Sequence, residues 1–265
     1  MKKIIIITIF ILTISSVFNT LRAQIEPNAI PLMNALVAQD STKCLLLVKD
    51  IKDVNCMSGT HDSFLFCACL YGYTEMCRIL IVKGVDLDFQ SKQGYTSLMI
   101  AMKYGYHDIA MLLVKSGADP NLQDIIGWSS LFYAAEYGYP EIVKMIIDKV
   151  PDINRQCTLG ANPLLMSSQQ GYVEIVRLLL GRGANPDFQD KEGSSALMLA
   201  SYAGRTKVVK MLLDNGANPN LLNESGATAL NFAAFKDRKE IEKLLLKHGG
   251  VYANKLPPRP SSDVN

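Results

Sequence analysis

The chain has 265 residues, of which 49% are apolar and 20% are charged, and this composition is ordinary for a folded globular protein and excludes bulk disorder. It contains 27 Lys and Arg residues against 25 Asp and Glu residues, and three of the bases but no acid lie within positions 1–23. The remaining chain is therefore close to neutral, which argues against a nucleic-acid-binding protein, whose domains usually carry a strong basic excess.

The sequence of residues 1–23 fits the pattern of a secretory signal peptide. Lys2 and Lys3 precede a mostly apolar run over residues 4–18, and the small residue Ala23 follows. This run is shorter than the ~20 residues that span a bilayer. We therefore expect cleavage near Ala23 and export to the periplasm or out of the cell, because the short Ile-rich segment ending in Ala-Gln resembles signals of Gram-negative bacteria. An uncleaved segment would instead tether the protein to a membrane.

Four series of residues then recur at every thirty-third position, which excludes a chance pattern. The series are Gly94, Gly127, Gly160, Gly193 and Gly226; Gly72, Gly105, Gly138, Gly171 and Gly204; Leu65, Leu98, Leu131, Leu164, Leu197 and Leu230; and Ala68, Ala101, Ala134, Ala200 and Ala233, with Ser167 at the one position where alanine is missing. The predicted repeats are 58–90, 91–123, 124–156, 157–189, 190–222 and 223–255, after a degenerate N-terminal capping repeat at 25–57.

Each repeat predicts two short helices. The sixth position favours a helix N-cap, because a side-chain oxygen there accepts a backbone N–H that the helix leaves unpaired. The residues at this position are Ser63, Thr96, Ser129, Asn162, Ser195 and Thr228. The first helix ends at the glycine of the 72/105/138 series, since glycine readily takes the left-handed conformation that stops a helix. One such helix pair cannot bury its own apolar face, so the repeats must stack.

The pattern resembles the ankyrin repeat over about residues 58–250. Residues 117–121 and 183–187 match the turn signature of that family, and 141–147 and 174–180 match its second helix. The resemblance implies an all-α solenoid of about seven stacked helix-turn-helix repeats with short β-turn loops. Two departures are expected to alter it locally. Val150-Pro151 replaces the usual Gly-Ala and predicts an irregular turn, and mostly apolar residues replace the histidine that often opens the first helix. The residues at that histidine position are Phe66, Met99, Phe132, Leu165, Met198 and Asn231.

The resemblance also implies a concave binding face, formed by the turn tips and the outer side of each first helix. These are positions 2, 3, 5, 13 and 14 of each repeat, and large apolar side chains there predict a partner-binding surface. The candidate residues are Tyr71, Tyr95, Tyr104, Ile125, Ile126, Trp128, Tyr137, Leu159 and Tyr202, and Leu70 and Phe235 share their register. The alternative is that some of these rings only cover neighbouring turns. Tyr73, Tyr106, Tyr139 and Tyr172 are expected to pack between helices, and Tyr133 is expected in the core.

The sequence offers no pattern for catalysis, a metal or a cofactor. The three histidines lie in different repeats, and the periodic Asp and Asn residues mark turns rather than a calcium site. Of the six cysteines, only Cys67 with Cys77, or Cys44 with Cys67, are expected within reach of each other, and buried free thiols are the favoured interpretation.

The C-terminal segment 256–265 is rich in Pro and Ser and predicts a disordered tail. We therefore expect a monomeric, non-catalytic protein that binds a partner protein and no nucleic acid. The alternative is a membrane-tethered structural spacer, held by an uncleaved N-terminal segment.

Overall fold

The computed structural model of the protein describes residues 29–55 and 63–253. The predicted signal segment, at 1–23, and the predicted tail, at 256–265, lie outside the described residues. Within the described ranges the fold is all-helical, with fourteen α-helices, one 3₁₀ turn and no strand, which confirms the predicted fold class. None of the described helices is both long enough and apolar enough to cross a bilayer.

The helices are α1 (Ala29–Val37), α2 (Ser41–Asp50), α3 (Phe64–Leu70), α4 (Thr74–Val82), α5 (Ser97–Lys103), α6 (His107–Lys115), α7 (Ser130–Tyr137), α8 (Pro140–Ile146), α9 (Pro163–Gln170), α10 (Val173–Gly181), α11 (Ala196–Ala203), α12 (Thr206–Asp214), α13 (Ala229–Phe235) and α14 (Lys239–Lys247). The chain divides between Ala118 and Asp119 into two compact units. In the first unit, α3 packs against α5, and α4 packs against α2 and α6. In the second unit, α7, α9, α11 and α13 form a row of first helices, and α8, α10, α12 and α14 form a row of second helices.

The predicted N-caps are confirmed in five of the six repeats. The side chains of Ser63, Thr96, Asn162, Ser195 and Thr228 each accept the backbone N–H three residues ahead. Ser129 precedes α7 but its side chain accepts no such bond. Residues at the family's histidine position are also used in capping. The Met99 and Met198 sulfur atoms accept the N-cap backbone N–H at 3.5 Å, and the Asn231 amide oxygen does so at 3.0 Å.

Glycines end the first helices or directly follow them as predicted, and two of these glycines, Gly72 and Gly138, lie against a ring of the next repeat. Gly138 has φ +83°, in the left-handed region that disfavours other residues, and it caps α7. The Tyr172 ring lies so close that a Cβ atom at Gly138 would be 2.7 Å from it. Tyr106 covers Gly72 in the same way in the first unit. The prediction that these two tyrosines pack between helices is therefore confirmed.

The irregular turn predicted at Val150-Pro151 is also confirmed. Helix α8 ends at Ile146, and a 3₁₀ turn over Ile147–Lys149 follows in place of a left-handed glycine. Val150 is extended, with φ −85° and ψ 118°. This conformation is the one that a residue before proline prefers.

The periodic Asp and Asn side chains hydrogen-bond the backbone of the next repeat. In the second unit the Asn154, Asp187 and Asn220 oxygens accept backbone N–H groups 31 residues ahead, at 2.7–2.9 Å. Asn55 accepts from Asp86 at 2.7 Å in the first unit. Their role as turn formers is confirmed by local bonds, in which Asp152, Asn185 and Asn218 accept the backbone N–H two residues ahead at 2.9–3.0 Å. Among residues 29–55 and 63–253, no three His, Cys, Asp or Glu side chains are grouped so that they could hold a metal ion.

The cysteine geometry differs from the prediction. The five described cysteines are buried and are not joined in disulfides, as expected, and the sulfur atoms of Cys69 and Cys77 are 3.7 Å apart. Cys67 instead lies 3.8 Å from the Met33 sulfur of α1. The rotation of α3 explains the difference, because it turns Cys67 toward the preceding repeat and Cys69 toward α4. The contact of Cys77 is therefore with Cys69, which was not one of the predicted pairs.

Candidate functional site

In the second unit, a buried carboxylate fixes the first turn tip to the helix behind it. Asp124 Oδ1 accepts the backbone N–H groups of Ile126 and Trp128, at 3.0 and 2.9 Å. Its Oδ2 accepts the Tyr133 hydroxyl at 2.7 Å. Because Tyr133 belongs to α7 and is buried, this one side chain joins the tip to the helical core. Asp124 was not singled out from the sequence, although Ser91, Asp190 and Asn223 share its repeat position and also accept bonds from their own tips.

Four aromatic rings extend from this tip along α7. Trp128 stacks on Phe132, with ring centroids 6.1 Å apart, and meets Tyr133 edge-on at 5.3 Å. Tyr133 in turn stacks on Tyr137 at 6.2 Å. Trp128 is half-buried, and its Nε1 atom is buried without a hydrogen-bond partner in the part of the chain that the structure describes. Trp128 therefore supports the surface with a packed ring, whereas Tyr137 is the exposed end of the group.

Aliphatic side chains project from the neighbouring turn tips. Ile125 and Leu159 are 69% and 65% exposed, and Ile126 is 36% exposed. The tips that carry them are joined, since the Thr158 N–H donates to the Ile126 carbonyl at 3.0 Å. The Lys191 ammonium donates to the Thr158 carbonyl at 2.6 Å from the next repeat. The loops that carry these side chains are therefore held in place by hydrogen bonds between repeats.

A second aromatic group lies toward the C-terminal end of the row of first helices. The Tyr202 ring meets Phe232 edge-on at 6.0 Å, and the Lys236 ammonium lies 4.4 Å from the centre of the Tyr202 ring. The same ammonium is 5.5 Å from the ring of Phe235, which is 76% exposed. Phe235 was not among the candidate residues, although it occupies the same repeat position as Tyr202. That shared register was visible in the sequence, and the exposure of Phe235 supports adding it to the candidate surface.

Polar side chains lie beside the aromatic groups in the second unit. Gln170 donates to the Glu136 carboxylate at 3.0 Å, which joins the ends of α7 and α9. Partial burial raises the pKa of the Glu136 carboxyl, and the bond from Gln170 acts in the opposite direction. The surface therefore combines apolar anchors with a few polar groups, and it has no row of bases.

The three candidates in the first unit differ in exposure. Tyr104, directly after α5, is 52% exposed. Tyr71 is half-buried, and its ring is tilted against Tyr73 at 6.1 Å. Tyr95 is half-buried under the Lys103 ammonium, which lies 4.6 Å from the ring centre. Tyr104 is thus the most accessible of the three.

Replacing Asp124 with Ala should loosen the first tip of the second unit. The change removes an acceptor of three hydrogen bonds, and we expect a loss of about 2 kcal/mol in the free energy of unfolding. Trp128 is the only tryptophan, so its fluorescence emission should also shift. Asp190→Ala is the matched control, because Asp190 accepts tip N–H groups from Glu192 and Ser194 far from any tryptophan. An unchanged Trp128 emission spectrum in Asp124→Ala would contradict this description of the tip.

Comparisons with known proteins agree with this geometry. The family model described as "Ankyrin repeats (3 copies)" matches residues 32–124, 119–190 and 164–255. An ankyrin repeat domain from Acinetobacter baumannii AYE is similar to the chain, with 31% identity and a TM-score of 0.63, over 71% of this chain and 98% of that one. The ankyrin repeat protein EF0377 is similar too, with 32% identity and a TM-score of 0.63, over 69% of this chain and 96% of its own. A search of curated protein sequences gave no match.

Proposed function

The chain belongs to the ankyrin repeat family, and we propose that it is a non-catalytic module that binds a partner protein through its turn tips and first helices. Ankyrin repeats generally mediate protein–protein interactions, and their fold is typically a non-catalytic scaffold. The proposed contact residues are Tyr71, Tyr95 and Tyr104 in the first unit, and Ile125, Ile126, Trp128, Tyr137, Leu159 and Tyr202 in the second.

One observation carries this proposal. In the second unit, large apolar side chains are exposed although the backbone beneath them is fixed by hydrogen bonds, as at Ile125 and Leu159. Exposed apolar groups of this kind are a cost to an isolated soluble protein and commonly mark an interaction site. A rigid support reduces the entropy that binding would otherwise lose, so such groups make effective anchors. Tyr137 and Tyr202 add amphipathic rings, which are common in interface hot spots.

The chemistry of the surface favours a protein partner over a nucleic acid. The Lys236 ammonium contacts two aromatic rings, and the Lys191 ammonium donates a hydrogen bond to the Thr158 carbonyl. The whole chain has nearly equal numbers of bases and acids. Phosphate backbones are bound by several accessible bases in a row, and the proposed contact residues include none. We propose that the protein acts as a monomer on an apolar patch of its partner.

Comparative affinity capture tests the proposal. The bait is the protein itself, run beside a triple variant, Ile125→Ala, Tyr137→Ala and Leu159→Ala, and beside a control, Leu246→Ala. Leu246 is exposed on α14, in the row of second helices, so its truncation removes similar apolar area from a different face. We expect a protein that the wild type and Leu246→Ala capture and the triple variant loses. Equal capture by all three baits would exclude this surface.

We further propose export, on the basis of residues 1–23 alone. Two lysines followed by a short apolar run and Ala23 support a cleaved signal. The N-terminal residue of the protein purified from its native cell tests this. Gln24, or a residue just after it, would support export in a processed form. An intact Met1 in the membrane fraction would instead support the tethered spacer.

A further inference from the structure

Two buried thiols meet between the two helices of one repeat. Cys69 lies in the last turn of α3, and Cys77 lies in the first turns of α4, with 3.7 Å between their sulfur atoms. Both side chains are completely buried. From this geometry we propose that Cys69 and Cys77 are a modification site, at which an intramolecular disulfide staples α3 to α4 in an oxidising compartment.

The two sulfur atoms must move only a short distance to form a disulfide bond. Sulfur atoms in a disulfide are about 2.05 Å apart, so the two sulfurs must close by about 1.7 Å. The thiols already touch across the helix pair, and rotation about the two Cα–Cβ bonds is the movement that would close the remaining gap. Cys67, on the same helix, touches the Met33 sulfur of α1 instead. The geometry therefore selects Cys69 over Cys67 as the partner of Cys77.

The reaction is a thiol–disulfide exchange with a disulfide-bearing oxidant, such as oxidised glutathione or a disulfide oxidoreductase. One thiol of the pair loses its proton and attacks a sulfur of the oxidant, which forms a mixed disulfide and releases the first oxidant thiol. The other thiol loses its proton and attacks the mixed disulfide, which forms the Cys69–Cys77 bond and releases the second oxidant thiol. Two protons and two electrons pass from the cysteines to the oxidant.

Burial determines when this reaction takes place. Burial and the neighbouring Cys77 raise the pKa of the Cys69 thiol, which lowers its thiolate fraction in the folded protein. The bond therefore forms during folding, while the α3–α4 hairpin is still accessible to the oxidant. The inference does not depend on the proposed binding surface, because neither sulfur reaches solvent. It extends the export proposal by naming the covalent change that an oxidising compartment would produce.

Refolding followed by thiol counting tests the inference. The full chain is unfolded, reduced and refolded in a mixture of reduced and oxidised glutathione. It is then alkylated in denaturant, and its mass is measured by mass spectrometry. The chain has six cysteines, so the expected product has four alkylated thiols and one disulfide. Peptide mapping should place the bond between the peptide containing Cys69 and that containing Cys77. Six alkylated thiols, or a bond to any other cysteine, would overturn the assignment.

Matched variants show which cysteine of α3 forms the disulfide with Cys77. Cys67→Ala should keep the bond, whereas Cys69→Ala and Cys77→Ala should lose it. The wild type should also melt about 5 °C lower after a reductant is added, since the disulfide restricts the unfolded chain. Cys77→Ala should show no such shift. If Cys69→Ala does not fold, the wild-type map and the retention of the bond in Cys67→Ala still decide the question. Loss of the bond in Cys67→Ala would refute the choice of Cys69.

Discussion

Leu197→Asp is expected to lower the free energy of unfolding by at least ~3 kcal/mol and to remove helical signal from the second unit. Leu197 is 1% exposed, on α11, which packs between α9 and α13. A carboxylate at this position would lose its hydration and gain no partner, because its surroundings are the apolar cores of two neighbouring repeats. The measurement is urea unfolding followed by circular dichroism at 222 nm.

A matched control separates burial from the chemistry of the substitution. Leu246→Asp introduces the same charge on α14, where the side chain is 52% exposed and remains in water. We expect this variant to unfold within about 0.5 kcal/mol of the wild type, as is usual for surface changes. If both variants were equally stable, the assignment of the leucine series to the core between repeats would be wrong.

Gly138→Ala is expected to destabilise the second unit by about 3 kcal/mol, from backbone strain and overpacking together. The strain arises because φ is +83° and a Cβ atom disfavours that conformation, at a cost of about 1–2 kcal/mol. The overpacking arises because the new methyl group would lie 2.7 Å from the Tyr172 ring. Thermal melting of the variant beside the wild type measures the sum.

A second glycine variant, at Gly216 of the same unit, separates backbone strain from overpacking. Gly216 has φ +84°, but a Cβ atom there would meet no atom within 4 Å. Gly216→Ala should therefore show the strain alone, at about 1–2 kcal/mol. Tyr172→Ala combined with Gly138→Ala should recover the overpacking part of the loss relative to Tyr172→Ala alone. Equal destabilisation by Gly138→Ala and Gly216→Ala would show that the Tyr172 ring moves away freely.

Much of the fold follows from the sequence, because the same local signals recur in every repeat. The N-caps at Thr96 and Ser195, the left-handed Gly138 and the irregular turn at Val150 each follow from the chemistry of one or two residues. Such local preferences are then reinforced by packing against similar neighbours. The capping use of Met99 was not predicted, since its sulfur replaces a residue that differs in shape and polarity.

The candidate surface was harder to predict, since it depends on tertiary contacts. Repeat position alone could not show that Trp128 is half-buried, because its burial comes from contact with Phe132 and Tyr133. The hydrogen bond between Asp124 and Tyr133 joins the turn tip to α7 and holds that arrangement. The pairing of Cys69 with Cys77 likewise depends on the rotation of α3, which a periodic pattern does not specify to within one residue.

The binding surface is tested most directly by the affinity of the captured partner, measured by isothermal titration calorimetry. The Kd of the wild type is compared with that of the Ile125→Ala, Tyr137→Ala and Leu159→Ala triple variant and of Leu246→Ala. Loss of hot-spot contacts predicts a Kd at least about 30-fold higher for the triple variant, which corresponds to about 2 kcal/mol. The Kd of Leu246→Ala should be unchanged. A triple variant that folds like the wild type and keeps its Kd would contradict the proposal that this surface binds the partner.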